Sequence, residues 1–351
     1  MGTAPPTPDP TGFYAPLDPG PGPRGEVLGT EPLTVRPDAV GWRVRYRTLD
    51  AAGRPVTASM ALAAPAGITP TPRPVVVWVH GAVGVAPGCG PSRRGLEAWY
   101  TGDLIRAGIV VAAPDLTGLG MEGRAHPYLH GTTAGHSVLD AARAAAELTA
   151  AGAGNVLALI GHSAGGHAVL WANQLACGED GAGLDLRLVV AMSAISDLAA
   201  AMAHDATTPG MAACAVQVAA TWPEVEPVDA DAVLTPAARD RIGVLQRERL
   251  SGLHRRFGGD PARWVVAEGF RTPAWSAALE RQSAGRAPGA APVLLVHGDA
   301  DRDAPITWAH DLAARLDHVE LRTYPGVDHM GIRDAARADV VGRVLAAVDR
   351  A

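Results

Sequence analysis

The sequence predicts an α/β fold: a mostly parallel central sheet flanked by helices and interrupted once by a long helical insertion. Three observations lead there. Apolar runs without alternation, among them PVVVWVHG, GIVVAAPD and NVLALIGHS, suit strands that are covered on both faces. Helix-patterned stretches such as GHSVLDAARAAAELTAAG and AGGHAVLWANQLACG alternate with them, as in successive βαβ units. Residues 198–288 then lack the buried-strand pattern altogether, and a connection that long inside an α/β domain is usually an inserted cap.

Taken in order, residues 1–35 are rich in Pro and Gly and predict an irregular arm lying over the body or partly free. Residues 36–197 form the first part of the core. GWRVRYRTLD and PVTASMALAAP read as antiparallel strands joined by a turn at AAGRP, and the βα rhythm follows them up to LRLVVAMSAIS. The insertion, 198–288, contains amphipathic helical stretches such as TPAARDRIGVLQRERLSGLHRRFG. The second part of the core, 289–351, holds the strands APVLLVHGD and HVELRTYPG and a closing helix in RADVVGRVLAAVDR.

With 351 residues, 48% of them hydrophobic and 19% charged, the chain can bury a large core. A net charge of −6 leaves no basic footprint for nucleic acid, and the 30 positive side chains are all Arg. Cys89, Cys177 and Cys214 form no C-x-x-C pair and read as separate thiols, with one disulfide left open. The N-terminus shows no basic start followed by an apolar run, and no stretch reaches the length of a spanning helix, so a cytoplasmic protein without stable membrane insertion is expected.

The chemistry centres on LALIGHSAGGHAVLW. An apolar strand runs into Gly161-His162-Ser163-Ala164-Gly165 and then into a helix. A sharp strand-to-helix turn needs small neighbours, and it lifts the central hydroxyl to a helix N-terminus, where N–H groups favour developing negative charge. A serine hydroxyl is nearly inert at neutral pH without a base, and the base needs a carboxylate to orient it. Later strands supply both in the order Ser, acid, His. VLLVHGDADRDAPI ends in Asp299, Asp301 and Asp303, and the loop LRTYPGVDHMGI carries His329. Asp301 stands four residues before Pro305 in Asp-Arg-Asp-Ala-Pro, which resembles the D-x-x-V-P pattern of many α/β-hydrolases. That resemblance makes it the expected acid, with Asp299 second and Asp303 read as a cap of the following helix. Asp328 adjoins His329 too closely in sequence to orient it. The oxyanion donors are expected from the N–H of Ala164 and from the loop HGAVG, with Ala82 preferred over Gly81 or Val83. Together these parts specify the α/β-hydrolase fold with a serine nucleophile.

Other residues receive plainer readings. His162 is expected to pack or to support its neighbours, and His297 to be a core histidine. His126, His130 and His136 fit no common zinc spacing and are read as structural, so neither metal nor cofactor is expected. The aromatics of the insertion include Phe257 and Phe270, and most should form its own small core. Trp222, Trp264 and Trp275 are the candidates for a substrate-pocket wall.

Several stretches together resemble the secretory lipase family of α/β-hydrolases: FYAPLDPGPGPRGEVLGTEPL, VVVWVHGAVGVAPGCGPS, VVAAPDLTGLGMEGRAHPYLHGTTAGHSVLDAARAA, LIGHSAGGHAVLWANQLA, LLVHGDADRDAPI and YPGVDHMG. The resemblance implies hydrolysis of carboxylic esters, often lipid-like, by a triad at Ser163, Asp301 and His329 under a helical cap. Relatives are commonly exported. A chain with no visible leader therefore suggests an esterase acting on a smaller or specialised ester. The same acyl-enzyme would serve an acyltransferase or cyclase, and a third reading is a non-catalytic binding protein on this scaffold.

Overall fold

The computed structural model describes residues 11–67 and 69–349. Nine strands form one sheet: β1 (Val27–Leu33), β2 (Ala39–Leu49), β3 (Pro55–Pro65), β4 (Arg73–Val79), β5 (Val110–Pro114), β6 (Ala153–His162), β7 (Asp185–Met192), β8 (Val293–Gly298) and β9 (Val319–Tyr324). Their spatial order is β1-β2-β3-β5-β4-β6-β7-β8-β9. The first three pair antiparallel, β3 pairs antiparallel with β5, and from β5 to β9 all neighbours are parallel.

Helices α1 (Thr101–Arg106), α2 (Gly131–Glu147) and α3 (Ala164–Leu175) belong to the first part of the core. Between β7 and β8 lie α4 (Leu198–Asp205), α5 (Ala212–Thr221), α6 (Pro236–Arg239), α7 (Leu250–Arg256) and α8 (Pro273–Gln282). Helices α9 (Ile306–Ala313), α10 (Ile332–Ala335) and α11 (Arg337–Val348) complete the chain. The unalternating strands are buried on both faces because α2 and α3 cover one side of the sheet while α1 and α11 cover the other. No helix among the described residues is long and apolar enough to cross a membrane.

Two expectations need correction. The arm is not irregular throughout. Its residues 1–10 lie outside the described residues, but Val27–Leu33 forms β1, paired with β2 from Val27 opposite Tyr46 to Leu33 opposite Gly41. Pro32 is tolerated because β1 is an edge strand, where a missing N–H costs no ladder bond. The stretch from Thr235 to Gly258 is not one helix. It breaks into α6, a 3-10 turn at Ile242–Gln246, and α7. The N–H of Leu250 donates to the carbonyl of Val83 at 3.0 Å, so a contact with the core takes the place of a helical bond.

The insertion has its own apolar centre. Trp222 and Trp275 stack with centroids 5.8 Å apart, and Phe257 meets Trp264 edge-on at 5.5 Å. Gln282, at the end of α8, fastens this unit to the core. Its Oε1 accepts the N–H of Gly131 at 2.9 Å, one of the donors that the start of α2 leaves unpaired, and its Nε2 donates to Glu226 Oε1 at 2.8 Å.

Candidate active site

Strand β6 runs out at His162, and the turn that follows holds Ser163 at φ 58°, ψ −120°. Glycine makes so tight a turn possible. A Cβ on Gly161 would stand 2.1 Å from the carbonyl oxygen of Gly165, and one on Gly165 would stand 2.2 Å from that of Val79. The ends of β4 and β6 and the start of α3 therefore meet backbone to backbone. Ser163 is held through its main chain: its N–H donates to Met192 O at 2.9 Å, and its carbonyl accepts the N–H of His167 at 3.2 Å. Ala164 is the first residue of α3, where helix geometry leaves the N–H without an intrahelical partner. Gly81, Ala82 and Val83 line the same cleft as Ser163. His80 curls their loop by donating from Nδ1 to the carbonyl of Gly81 at 2.7 Å.

His329, after β9, also lines this cleft. Its Nδ1 lies 2.8 Å from Oδ2 of Asp301, after β8. A carboxylate can only accept, so Nδ1 carries the proton and Nε2 is left as the basic nitrogen. Asp301 is buried, and its Oδ1 accepts the N–H groups of Asp303 at 3.0 Å and Ala304 at 2.9 Å. Burial by itself would raise its pKa. The hydrogen bond and charge of His329 and the Ala304 N–H outweigh that and hold it below the ordinary carboxylate value. His297 steadies the acid loop by donating from Nε2 to Ala304 O at 2.7 Å, and burial keeps its pKa low.

The other carboxylates are occupied elsewhere. Asp299 Oδ1 accepts the N–H of Gly326 at 2.6 Å, and Asp328 Oδ1 that of Gly331 at 2.7 Å. Asp303 does not cap α9. Pro305 stands at the N-cap without a side-chain bond, and Asp303 lines the cleft. The scattered histidines have local partners: His126 Nδ1 donates to Thr117 O at 2.9 Å, His130 Nδ1 lies 2.8 Å from Thr133 Oγ1, and His136 Nε2 is 3.5 Å from Asp180. Among the described residues no group of three or more His, Cys, Asp or Glu is placed to hold a metal ion, and Cys89, Cys177 and Cys214 are free thiols.

The cleft over Ser163 has a volume of about 360 Å³. The insertion contributes Ala201, Asp205, Met211, Cys214, Leu250 and His254 to its lining. Trp222, Trp264 and Trp275 are not in that lining; they are all but fully buried, Trp264 and Trp275 inside the insertion and Trp222 where the insertion meets Tyr128 and His130 of the core. The indoles at the cleft are Trp78, Trp99 and Trp308, which come from the core. Trp99 and Trp308 follow β4 and β8, at the sheet edge where ligands bind in such folds, and that position was the signal by which sequence reasoning could have found them. Burial lifts Asp205 to a pKa of about 6 despite the hydrogen bond and charge of His204. A larger hollow of about 550 Å³ lies between the Asp50–Arg54 turn and Glu224. Its lining has no serine, cysteine or histidine, and Asp50 there is paired with Arg54 and Arg124.

No curated protein sequence matches the chain. Its structure is similar to that of Candida antarctica lipase A in its closed state, with a TM-score of 0.79 at 17% identity, over 97% of this chain and 86% of that one. It is also similar to a ligand-bound form of the rice cell wall degrading esterase LipA from Xanthomonas oryzae, with a TM-score of 0.71 at 17% identity, over 94% of this chain and 98% of that one. At such identities the likeness establishes the fold, an α/β-hydrolase as the βα rhythm and the Ser163 turn imply. Residues 70–336 match the family model described as serine aminopeptidase, S33. With most of the chain inside that match, the protein belongs to the serine aminopeptidase S33 family of α/β-hydrolases.

Proposed function

We propose that the protein hydrolyses carboxylic esters through an acyl-enzyme on Ser163. The observation that carries this reading is the bond from His329 Nδ1 to Asp301 at 2.8 Å, at a cleft shared with a serine in a left-handed elbow. Ser163 Oγ attacks the acyl carbonyl while His329 Nε2 takes its proton, and Asp301 supports the imidazolium that forms. The N–H groups of Ala82 and Ala164 hold the oxyanion, and losing one such donor typically costs about 100- to 1000-fold in rate. His329 then protonates the leaving alkoxide and activates water for deacylation. The insertion acts as a cap that walls the acyl side.

The lipase and the esterase with similar folds, together with the apolar lining from Val83, Leu129, Ile195 and Leu250, favour esters over the aminoacyl amides that the family description brings to mind. The test is a panel of p-nitrophenyl esters of increasing acyl length, with and without an alcohol acceptor, beside aminoacyl p-nitroanilides. Ester turnover that Ser163→Ala abolishes, with fluorophosphonate labelling of Ser163 in the native protein, is expected. Turnover of the anilides alone would replace the ester reading with a peptidase. Product formed chiefly by alcohol capture would replace it with an acyltransferase.

A further inference from the structure

His162 closes β6 one residue before Ser163 and is only 4% exposed. Its ring centroid lies 4.6 Å from that of Trp99 and 4.6 Å from that of His329. Its Nε2 is 2.9 Å from the main-chain carbonyl oxygen of His329. A carbonyl only accepts, so Nε2 carries the proton and donates. A Cβ on Gly81 would stand 3.3 Å from its Nδ1, so the same ring also backs the loop that carries Ala82.

We infer that His162 is a positioning residue for His329, its Nε2–H fixing the main chain of the base while Asp301 fixes the ring. This rests on the reading of His329 as the base of Ser163. The segment bearing His329 is tied down on either side of it, by the N–H of Ala300 to Val327 O at 3.1 Å and by the N–H of Ile332 to Asp328 O at 3.3 Å, while Asp328 and Met330, which flank His329, are exposed and β9 is the edge strand of the sheet. The bond from Asp301 sets the direction of the imidazole, whereas the bond from His162 holds the main-chain carbonyl of His329 itself. His162 holds that carbonyl from a fixed point, because the residue that holds the base is joined by one peptide bond to the nucleophile. Its neutrality matters too. Burial, with His329 alongside, pushes its pKa down to about 3, so the ring stays uncharged beside the imidazolium that His329 becomes.

The test compares His162→Phe, which keeps a ring and loses the donor, with His162→Gln, which restores an N–H donor. Three quantities are read: the second-order rate constant for fluorophosphonate labelling of Ser163, kcat and KM per labelled site on p-nitrophenyl butyrate, and the melting temperature. The Phe variant is expected to label to full stoichiometry but about 10- to 100-fold more slowly, since small misplacements of a catalytic group cost rates of that order. Its kcat per labelled site should fall in parallel with KM little changed, and the Gln variant should recover a substantial part of the loss. A merely structural role predicts a lower melting temperature and fewer labelled sites, each reacting at the native rate, and that result overturns the inference. So does a Gln variant that folds like the native protein and labels no faster than His162→Phe. If the Phe variant does not fold, the Gln variant decides alone: labelling near the native rate supports the inference, and slow labelling at native melting temperature overturns it. Native protein that labels at Ser163 yet turns over no ester would overturn the ester reading only. Native protein that does not label would overturn the assignment of Ser163, and the role of His162 with it.

Discussion

Oδ2 of Asp301 accepts from Nδ1 of His329 at 2.8 Å, while Oδ1 of Asp299, two positions earlier in the same loop, accepts the N–H of Gly326 at 2.6 Å. One carboxylate orients the ring and the other ties the acid loop to the turn after β9. Asp301→Asn should therefore lose about 10⁴ in kcat, the order seen when the orienting acid of a triad becomes an amide. Asp299→Asn should cost far less in kcat and show mainly as a lower melting temperature. Steady-state kinetics on a short p-nitrophenyl ester, read beside thermal melts of both variants, check this. A larger kcat loss from Asp299→Asn at unchanged melting would reverse the assignment.

The indoles divide by neighbourhood. Trp222 donates from Nε1 to Tyr128 O of the core at 2.8 Å, Trp264 to Gly258 O at 3.0 Å and Trp275 to Asp229 O at 2.8 Å within the insertion, and all three are buried. Replacing any of them by Ala should cost about 3 to 5 kcal/mol of stability, as truncation of a buried aromatic usually does. Relative kcat/KM across acyl lengths should hardly move. Trp308→Ala should instead alter that profile, because Trp308 lines the cleft. Denaturant melts and a chain-length series on the four variants separate the two roles.

Acid should unfold the protein readily. His126, His162 and His167 are buried, and burial pushes their pKa values down to about 4, 3 and 4 from the ordinary 6.5. Below about pH 6.5 the unfolded chain takes up protons at these rings while the folded chain does not. Folding stability is accordingly intact above the unfolded value and is lost as pH falls towards the folded values, at up to about 1.4 kcal/mol per pH unit for each ring. Urea midpoints followed from about pH 7.5 down to about pH 4.5 should drop steeply, and the double variant His126→Gln/His167→Gln should flatten the slope. A native profile without slope in that window would contradict the burial argument.

The cleft should also discriminate by charge. Glu97, Asp205 and Asp303 line it, and no arginine does among the described residues of its lining. An ester that carries a second, free carboxylate places like charges together in a partly enclosed space. Its kcat/KM should be about tenfold or more below that of a neutral ester of equal length, and added salt should narrow the gap. Paired p-nitrophenyl esters, one ending in a carboxylate and one in a methyl group, measured at two ionic strengths, decide it.

What could be read from the chain beforehand followed from how local the causes were. The unalternating runs at Val75–Val79 and Leu157–Ile160 announced strands covered on both faces. The small residues around Ser163 announced a turn whose geometry depends on five neighbouring positions. The resemblance of Asp-Arg-Asp-Ala-Pro to a pattern of many α/β-hydrolases singled out Asp301, the carboxylate that the structure places against His329. Less local features were harder to see. β1 hides in a Pro- and Gly-rich stretch because its pairing comes from β2, across a separate segment of chain. The stretch around Leu250 looks helical until the carbonyl of Val83 claims its N–H. That Trp222, Trp264 and Trp275 stay out of the cleft depends on how the five short helices of the insertion fold over one another, and composition carries no record of that.

Gly161 and Gly165 press against main-chain carbonyls, which cannot turn aside as a side chain can. Neither position can accept even an alanine by repacking around it, and a change at one opens no space for a change at the other. Positions 162 and 164 are the elbow's remaining places for variation, and each is joined by one peptide bond to Ser163. Within the turn, a lineage descending from this chain could therefore adjust the surroundings of Ser163 only through those two residues. New substrate preferences would have to accumulate at the rim, in residues such as Ala201, Met211 and Leu250, where a larger or smaller side chain reshapes the cleft and leaves the turn beneath it untouched.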